Sequence, residues 1–540
     1  MIGLERLGVW ITKNPVIIIA VAVLLTLVSV HYAQQIESTG MTTESFVSKD
    51  SSLYQLYDHL YQENFGADGN IILIEGDNVA KADALSASLR LSDHMKMIPN
   101  VISVQSIADI VADAEYQSSG IRRIPSQERI DEILADAGSS VQGLMPDSRH
   151  TRMIVGMPTT ATLTESQRGE LLAEISSAVD FAEFPAGYST TVTGDPSFQA
   201  AIQEVMNNSN GSVLLLCGLL MIVALLLVFR HVRWPLLPLP IVLLGIIWTV
   251  GAMGFFHIPM GMVTFAAFPI MIGLGIDYAI QFHNRIDEEL IKGKSSVEAA
   301  ISTVNHVAIP VAIAVTVTEA GFIALLSSTV PSINDFGKVC MIGLVMCYLS
   351  ALFVNTTVLY LSERKSPRKK KAEGHSEDGS AIGAFIENVA NFCVGRWKAV
   401  LAVALILSLA GNYADTMVPI ETDTKNYIPQ DLSPLIDLNH MKAFFGGTDT
   451  LKFLVQADDV TDPHNLRWMD DFGNYLLTSR EDRTESVTSI ATYVKEAGGG
   501  EIPDDRTQIR EIIASLPEAV QDSYLSGHNL AAIDVNIGDA

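Results

Sequence analysis

The chain alternates long apolar runs with long polar stretches in an uneven order. One apolar run lies near the N-terminus, five follow one another closely after a long polar stretch, and one more follows a basic segment. Each is long enough, or nearly so, to cross roughly 30 Å of hydrocarbon at about 1.5 Å per residue. The pattern therefore predicts membrane-spanning helices at Val16–Tyr32, Val213–Phe229, Leu236–Phe256, Val263–Gln281, Val307–Leu326, Val339–Leu361 and Ala399–Tyr413.

The polar stretch at 34–209 changes between the period of a strand and that of a helix. Short apolar runs predict strands at Asn70–Glu75, Val101–Val104, Arg152–Met157 and Tyr188–Thr193. Helical spacing predicts helices at Val79–Met97, Gln127–Ala137 and Glu165–Phe181. Two β-α-β units with an inserted helical region are typical of a split βαβ, ferredoxin-like domain.

These patterns predict a polytopic α-helical membrane protein with α+β domains outside the bilayer. The first run is too long for the apolar region of a signal peptide and no small-residue cleavage site follows it, so we expect it to be retained. The predicted parts are a first transmembrane helix at 1–33, an outer domain at 34–209, transmembrane helices two to six at 210–362, a cytoplasmic linker with an amphipathic interfacial helix at 363–398, transmembrane helix seven at 399–415 and a second outer domain at 416–540.

Composition and charge narrow the class of protein. The chain is 48% hydrophobic and carries a net charge of -26. Between Gln34 and Ser209 there are 25 acidic residues against 10 basic ones. A domain this acidic would repel phosphate backbones, which excludes nucleic acid as a partner.

The joints between the predicted spans alternate in charge. Basic residues follow the second span at Arg230 and Arg233, the fourth at Arg285 and Lys292, and the sixth from Arg364 onwards. The other joints carry little positive charge. The positive-inside rule therefore places the N-terminus and the basic joints in the cytoplasm and the acidic domain outside the cytoplasmic membrane.

Few residues suggest bond-making chemistry. The four cysteines, Cys217, Cys340, Cys347 and Cys393, lie in or beside apolar runs and have no zinc-ligand spacing. There is no phosphate-binding loop and no nucleophile motif. We therefore predict no metal, no cofactor and no enzymatic activity.

Two acids stand out because they lie inside predicted spans. Asp277 is in the fourth span, beside Tyr278 and one turn after Gly273, and Glu319 is in the fifth. A carboxylate at the centre of a spanning helix costs about 2.5–3.5 kcal/mol on insertion scales, so it usually faces the bundle interior and has a task. Gly273 and Gly275 predict close approach of a neighbouring helix.

Two interpretations of Asp277 remain open from the residues alone. It could be an interfacial residue in a pocket of water, or a proton-coupling carboxylate. The second acid at Glu319, on the next span, favours proton coupling, since two acids on consecutive spans are hard to explain otherwise.

The segment after the seventh span repeats the segment after the first. Phe46–Asp50 resembles Tyr427–Asp431, and Asp77–Val79 resembles Asp458–Val460. Val104–Ala108 likewise resembles Val487–Ala491, with an offset of about 380 residues. Internal repetition on this scale is typical of a duplicated transporter. If the duplication is complete, the rest of the second outer domain and five further spans are expected beyond Ala540.

One span, a large outer domain and five spans, followed by the same order again, resembles the resistance–nodulation–division (RND) superfamily. Within it the chain is most similar to the hydrophobe exporters of the MmpL type, with Patched and Niemann-Pick type C proteins as distant kin. The stretch Gly273–Ile280 carries the resemblance, since it is similar to the G-x-x-x-D-Y element of the family's fourth span. Gly321–Phe322 and Asp335–Gly337 resemble the pattern of the fifth and sixth spans.

The resemblance implies a polytopic exporter of lipids or other amphiphiles that is driven by proton flow, with Asp277 and Tyr278 as relay residues. In the family a carboxylate of the second half completes the relay. Glu319 departs from the family, where that place is usually uncharged, and we interpret it as a second relay acid or as a residue that shifts the coupling ion from proton to sodium. The alternatives are a lipid-sensing, receptor-like protein and an export accessory factor of the SecDF kind. Substrate and oligomeric state stay open.

Overall fold

The computed structural model describes residues 2–36, 43–65, 67–136, 141, 143–158, 165–228, 234–365, 381–418, 430, 432–445, 449–480, 483–516 and 518–537. The predicted basic joint after the second span lies outside these residues, as does 366–380 of the predicted linker.

The α-helices are α1 (Ile2–Lys13), α2 (Pro15–Ala33), α3 (Thr43–Phe46), α4 (Ser52–Leu56), α5 (Glu63–Phe65), α6 (Ala82–Met95), α7 (Ile107–Ser119), α8 (Gln127–Asp136), α9 (Glu165–Phe181), α10 (Asp195–Val228), α11 (Pro238–Phe255), α12 (Met262–Phe265), α13 (Ala267–Ile291), α14 (Ser296–Leu325), α15 (Pro331–Leu349), α16 (Thr356–Lys365), α17 (Ala381–Gly395), α18 (Trp397–Asp415), α19 (Ser433–Phe445), α20 (Pro463–Ser479), α21 (Ile490–Ala497), α22 (Arg506–Ser515) and α23 (Glu518–Tyr524). Two π-helical turns occur at Tyr57–Gln62 and Ser350–Asn355. The strands are β1 (Ala67–Glu75), β2 (Ser103–Gln105), β3 (His150–Pro158), β4 (Ser189–Gly194), β5 (Asp449–Gln456), β6 (Thr484–Ser489), β7 (Leu525–Ser526) and β8 (Leu530–Ile537).

Seven helical stretches of the described chain are long and apolar enough to cross a membrane, and each contains or overlaps a predicted span. They are Pro15–Ala33, Pro196–Leu227, Pro238–Phe255, Met262–Ile291, Ser296–Leu325, Pro331–Arg364 and Trp397–Asp415. The second begins well before the predicted residue 213, because α10 continues without a break from the end of β4 into the apolar run. The fifth begins at a capping box, in which Ser295 and Glu298 bond each other's backbone N–H groups.

The third to sixth spans form the packed centre of the helical part. Helices α11, α13 and α15 contact one another, α14 packs on α13 and α15, and the first span α2 packs along α11. Their shared core includes Trp248, Ile276, Phe282, Val311 and Leu344. The seventh span, α18, buries no residue within the described chain.

The first α/β domain is built on a four-stranded sheet in the order β2-β3-β1-β4. All neighbouring strands are antiparallel, with Ile71 opposite Ile154 and Ile72 opposite Val192. Helices α6 and α9 cover one face through residues such as Leu91 and Ile175. The predicted strands and helices are found with shifted ends, whereas α7 lies where no helix was predicted.

The start of α6 shows why one helix end was misplaced. The sequence predicts a helix from Val79, but α6 begins at Ala82. The Val79 N–H donates instead to the carbonyl of Ser148 (2.8 Å), and the Asn78 side chain accepts from the N–H of Ala80 (3.0 Å). A side chain that bonds its own following backbone favours a turn over a helix.

The second α/β domain repeats this arrangement. Its sheet has β8 between β5 and β6, just as β3 lies between β1 and β2, and all pairs are antiparallel. The Val460 N–H donates to the carbonyl of His528 (2.8 Å), and Asp459 accepts from the N–H of Thr461 (3.0 Å). The turn at Asp458–Val460 therefore has the hydrogen bonds of the turn at Asp77–Val79.

Candidate functional site

The two acids of the predicted relay lie on neighbouring spans and differ in environment. Asp277 and Tyr278 are in α13, and Glu319 is in α14, which packs against α13. Tyr278 is buried (4% exposed) and Glu319 nearly so (9%), whereas Asp277 is exposed. The site therefore has one buried and one accessible carboxyl group.

The hydroxyl of Tyr278 lies among the other polar groups of the site. Its hydrogen-bond partner is Thr318 of α14, the residue before Glu319 in the chain. The Thr318 hydroxyl donates to the carbonyl of Ala314 (3.0 Å), so its free lone pairs can accept from the tyrosine. Tyr278 thus joins α13, directly after Asp277 in the chain, to α14 at the residue before Glu319.

Glu319 is buried without full hydrogen bonding. Its Oε1 atom has no hydrogen-bond partner within the described part of the chain. The residue also lies within electrostatic range of Cys340 in α15. A buried carboxyl group that lacks partners is costly to keep charged, so its position needs a reason other than stability.

Asp277 is held along its own helix. Gln281, one turn further along α13, donates from Nε2 to Oδ2 of Asp277 at 2.9 Å. The sequence patterns did not single out Gln281, although i,i+4 spacing on a helix brings two such side chains together.

The two glycines for which close packing was predicted differ in their surroundings within the described residues. A Cβ atom added at Gly275 would lie 2.9 Å from Sγ of Cys347, whereas one added at Gly273 meets nothing within 4 Å. A Cβ atom added at Gly245 in α11 would lie equally close to Cys347, 2.9 Å from its Cα atom. Cys347 therefore lies in a tight junction of three spans beside Tyr278.

The sixth span contains a feature that the apolar pattern does not reveal. Its π-helical turn carries Ser350 and Asn355, both fully buried. Ser350 donates to the carbonyl of Ile241 (2.7 Å) and Asn355 to that of Ala279 (2.9 Å). The sixth span is thus tied to the third and to the fourth, the latter directly after Tyr278.

A second buried acid lies at the end of the fourth span. Glu289 forms ion pairs with Arg285 (2.9 Å), with Lys292 (3.1 Å) and with Lys294, and it accepts a hydrogen bond from Ser302 of α14 (3.1 Å). The basic residues were read only as a topology signal, so this network was missed. This network links the end of the fourth span to the start of the fifth.

No group of three or more His, Cys, Asp or Glu side chains suited to a metal ion occurs among the residues that the structure describes.

Comparison with known proteins identifies the family of the chain. The model of the MMPL family matches residues 49–404, which is more than half of the chain. The chain belongs to the MMPL family. The resemblance to RND exporters carried by Gly273–Ile280 is thereby confirmed, as is the multi-pass membrane character of the chain.

Three relatives show how the match is distributed. A membrane protein of Methanocaldococcus jannaschii is 28% identical over 297 residues, which cover 54% of this chain and 75% of that protein. The siderophore exporter MmpL5 of Mycobacterium tuberculosis is 25% identical over 369 residues, 62% of this chain and 37% of its own. The hopanoid transporter HpnN of Burkholderia multivorans is 24% identical over 209 residues, 37% of this chain and 23% of its own. The chain thus spans less than half the length of either named transporter.

Proposed function

We propose that this MMPL protein uses the proton-motive force to export lipids or other hydrophobic molecules across or out of the cytoplasmic membrane. The named relatives are a siderophore exporter and hopanoid transporters, which supports a substrate of amphiphilic or lipid character. The observation that carries the proposal is the placement of two acids on packed spans, with Asp277 exposed on α13 beside the buried Tyr278 and Glu319 buried on α14. No observation in the site favours bond-making chemistry over transport.

In this proposal Asp277 is the accessible member of the relay and Glu319 the buried one. Two carboxyl groups that approach each other away from water do not ionise independently. In this proposal the spans bring Asp277 and Glu319 together during transport, and a proton that enters at Asp277 then changes the charge that Glu319 can hold. A tyrosine hydroxyl can both donate and accept a hydrogen bond, and in this proposal Tyr278 passes the proton between the two acids when the spans bring them within reach of it.

Proton uptake is coupled to movement through the packing around the relay. Cys347 packs against both Gly245 and Gly275, and a methyl group added at either glycine would lie 2.9 Å from it. Helices α11, α13 and α15 are therefore closely packed at this point. Closely packed helices have few alternative arrangements, and a change of charge at Asp277 or Glu319 selects between them. The helix α10 runs from the second span to β4 and carries such a change to the α/β domains.

The arrangement of the α/β domains follows the family pattern in this proposal. The strand order β2-β3-β1-β4 supports a ferredoxin-like porter domain, and the matching order of β5, β6 and β8 supports a repeat of one span, outer domain and five spans. We place both domains outside the membrane and the N-terminus in the cytoplasm, because the basic joints lie at the opposite ends of the spans. The domain limits given above from the sequence are part of the proposal.

The test is gradient-driven movement of a fluorescent lipid by the purified protein in proteoliposomes. We expect wild type to move the lipid under a proton gradient, and we expect Asp277→Asn, Glu319→Gln and Tyr278→Phe to lose most of that movement. Glu288→Gln is the matched control, because Glu288 lies on the same helix but is exposed and pairs only with Arg285 in the described chain.

Three outcomes would contradict the proposal in different ways. Normal transport by Asp277→Asn would exclude the relay. Movement under a sodium gradient but not under a proton gradient would show that sodium is the coupling ion. Lipid binding without movement under any gradient would indicate that the protein is a lipid sensor and not an exporter.

A further inference from the structure

The π-helical turn of the sixth span separates two regular helices. α15 ends at Leu349, the π turn occupies Ser350–Asn355, and α16 begins at Thr356. A π turn carries one extra residue, so the side chains that follow it point elsewhere than a regular helix would aim them. Such turns are frequent at functional sites.

The two ends of this turn make the same kind of bond to different helices. Ser350 donates from its hydroxyl to the Ile241 carbonyl in the third span, and Asn355 donates from Nδ2 to the Ala279 carbonyl in the fourth. Within a regular helix, each of these carbonyls accepts from the N–H four residues later. The turn therefore adds a second donor to a carbonyl in each of two neighbouring spans.

The bond from Asn355 lies directly beside the relay. Ala279 follows Tyr278 in the chain, so the carbonyl that Asn355 holds belongs to the next peptide unit of α13. A rotation or shift of α13 at this place would move the Tyr278 ring and break the hydrogen bond at the same time. The position of the tyrosine is thereby tied to the sixth span.

Stability alone does not account for an amide here. Oδ1 of Asn355 has no hydrogen-bond partner within the described residues, and neither do the hydroxyls of Thr356 and Thr357. All three residues are fully buried. A half-satisfied polar side chain is more costly to bury than an apolar one of the same shape, so the amide serves a purpose other than packing.

We propose that Asn355 is a positioning residue of the relay: through the Ala279 carbonyl it fixes the place of Tyr278, the neighbour of Asp277 in α13, so that the π turn of the sixth span and the relay segment of the fourth move together. This inference rests on the proposed function. Asn355 itself takes up no proton in it.

The decisive variants are Asn355→Leu, which keeps the branched shape at a larger volume and removes the donor, and Asn355→Ser, which shortens the side chain with less risk to folding. Ser350→Ala is the matched control, because it removes the other bond of the same turn, which reaches the third span and not the relay. Asn355→Gln tests rescue, since it retains the amide.

The first readout does not require transport. Carbodiimides react with the protonated form of carboxyl groups, so their modification of Asp277 and Glu319, followed by mass spectrometry over a pH series, reports protonation of each acid in the intact protein. We expect both Asn355 variants to shift the midpoint for at least one acid by about one pH unit or more, while Ser350→Ala leaves it in place. In the transport assay the rate should fall about 10- to 100-fold, as misplacement of a reacting group does elsewhere.

Failure of this inference differs from failure of the proposed function. If Asp277→Asn abolishes transport while Asn355→Leu, Asn355→Ser and Ser350→Ala give the same modification midpoints as wild type, then Asn355 is only structural. If all three variants shift the midpoints equally, the π turn matters as a whole and the specific role of Asn355 is wrong. If Asp277→Asn transports normally, the proposed function fails, and the midpoints still decide whether Asn355 controls the surroundings of Asp277.

Discussion

The imidazole of His440 contacts the carboxylate of Glu75 across the two α/β domains, with 3.0 Å between Nε2 and Oε1 and 365 residues between them in the chain. His150 approaches the same oxygen with its Nε2 atom at 3.4 Å and bonds Asp147 through Nδ1 at 2.8 Å. Its ring stacks on Phe444 of α19 at 3.8 Å. A carboxylate only accepts, so His440 must present its Nε2–H to Glu75. These contacts attach α19 to β1 and β3 of the first domain.

We therefore expect His440→Ala to loosen α19 from the first domain. The hydrogen bond is partly exposed, so its loss should cost about 0.5–1.5 kcal/mol, which corresponds to roughly two- to tenfold faster exchange of amide hydrogens. Hydrogen exchange measured by mass spectrometry on peptides that cover Ser433–Phe445 checks this. His464→Ala is the control, because His464 is exposed at the start of α20. Equal exchange in both variants would show that the contact does not hold the domains together.

Much of the fold could be predicted because its signals are local. The spans follow from run length, and the strands of the first domain from short apolar stretches. Two turns at corresponding places of the sequence repeat are also alike, since Asn78 and Asp459 bond the N–H groups of Ala80 and Thr461 in the same way. The relay candidates followed from the rarity of carboxylates inside spans.

The contacts that complete the site were not predictable because they join distant parts of the chain or depend on backbone register. The Asn355 side chain reaches the Ala279 carbonyl only because a π turn changes its direction. Neither the length of the apolar run nor its period indicates that turn. His440 and Glu75 are paired by the docking of two domains. In the sequence Glu289 is one of several charged residues at the end of a helix. Only its burial in the structure shows that the basic residues around it pair with this acid.

The buried acid at the end of the fourth span should matter for stability. Glu289 is 2% exposed and pairs with three basic residues, whereas the neighbouring Glu288 is 56% exposed and pairs only with Arg285 in the described chain. Removing one partner of a buried ionic network costs about 3–5 kcal/mol, while an exposed pair contributes about 0–1 kcal/mol. We expect Glu289→Gln to lower the unfolding temperature in detergent by several degrees and Glu288→Gln to leave it nearly unchanged. Similar unfolding temperatures for the two variants would mean that the network does not stabilise this link between the fourth and fifth spans.

Two glycines of the fourth span offer a matched test of packing. Gly275→Ala puts a methyl group 2.9 Å from the Cys347 sulfur, while Gly273→Ala puts one into space with nothing within 4 Å. Overpacking a tight junction typically costs about 1–3 kcal/mol, and alanine in an open helical position is favoured over glycine by up to about 1 kcal/mol. Thermal unfolding should therefore show Gly275→Ala destabilised and Gly273→Ala equal to or more stable than wild type. Destabilisation by Gly273→Ala would reveal a neighbour that packs on this face.

The turn at Asp459 predicts a dependence of stability on pH. The Thr461 hydroxyl donates to Oδ1 of Asp459 (2.6 Å), the Thr461 N–H adds a second bond, and Arg510 approaches Oδ2 at 3.2 Å. These bonds to the charged form, the Thr461 hydroxyl first, hold the pKa of Asp459 below its usual range against the opposing effect of burial. A carboxyl group with a lowered pKa in the folded state stabilises it fully above the unfolded pKa of about 3.9, and this contribution is lost as the pH falls through the folded value.

The corresponding turn of the first domain indicates which substitution at Asp459 removes the charge and keeps the hydrogen bond. Asn78 makes the same turn with an amide oxygen, so Asp459→Asn should keep the bond from the Thr461 N–H and lose the ionic attraction to Arg510. We expect a loss of at most about 1 kcal/mol at pH 7 that shrinks towards zero below pH 3.9, measured by thermal unfolding over a pH series. Asp458→Asn, at the exposed neighbouring position, is the control and should follow wild type across the series. A difference between Asp459→Asn and wild type that stays constant down to acid pH would show that the side chain acts through shape, and that the charge of Asp459 does not stabilise the turn.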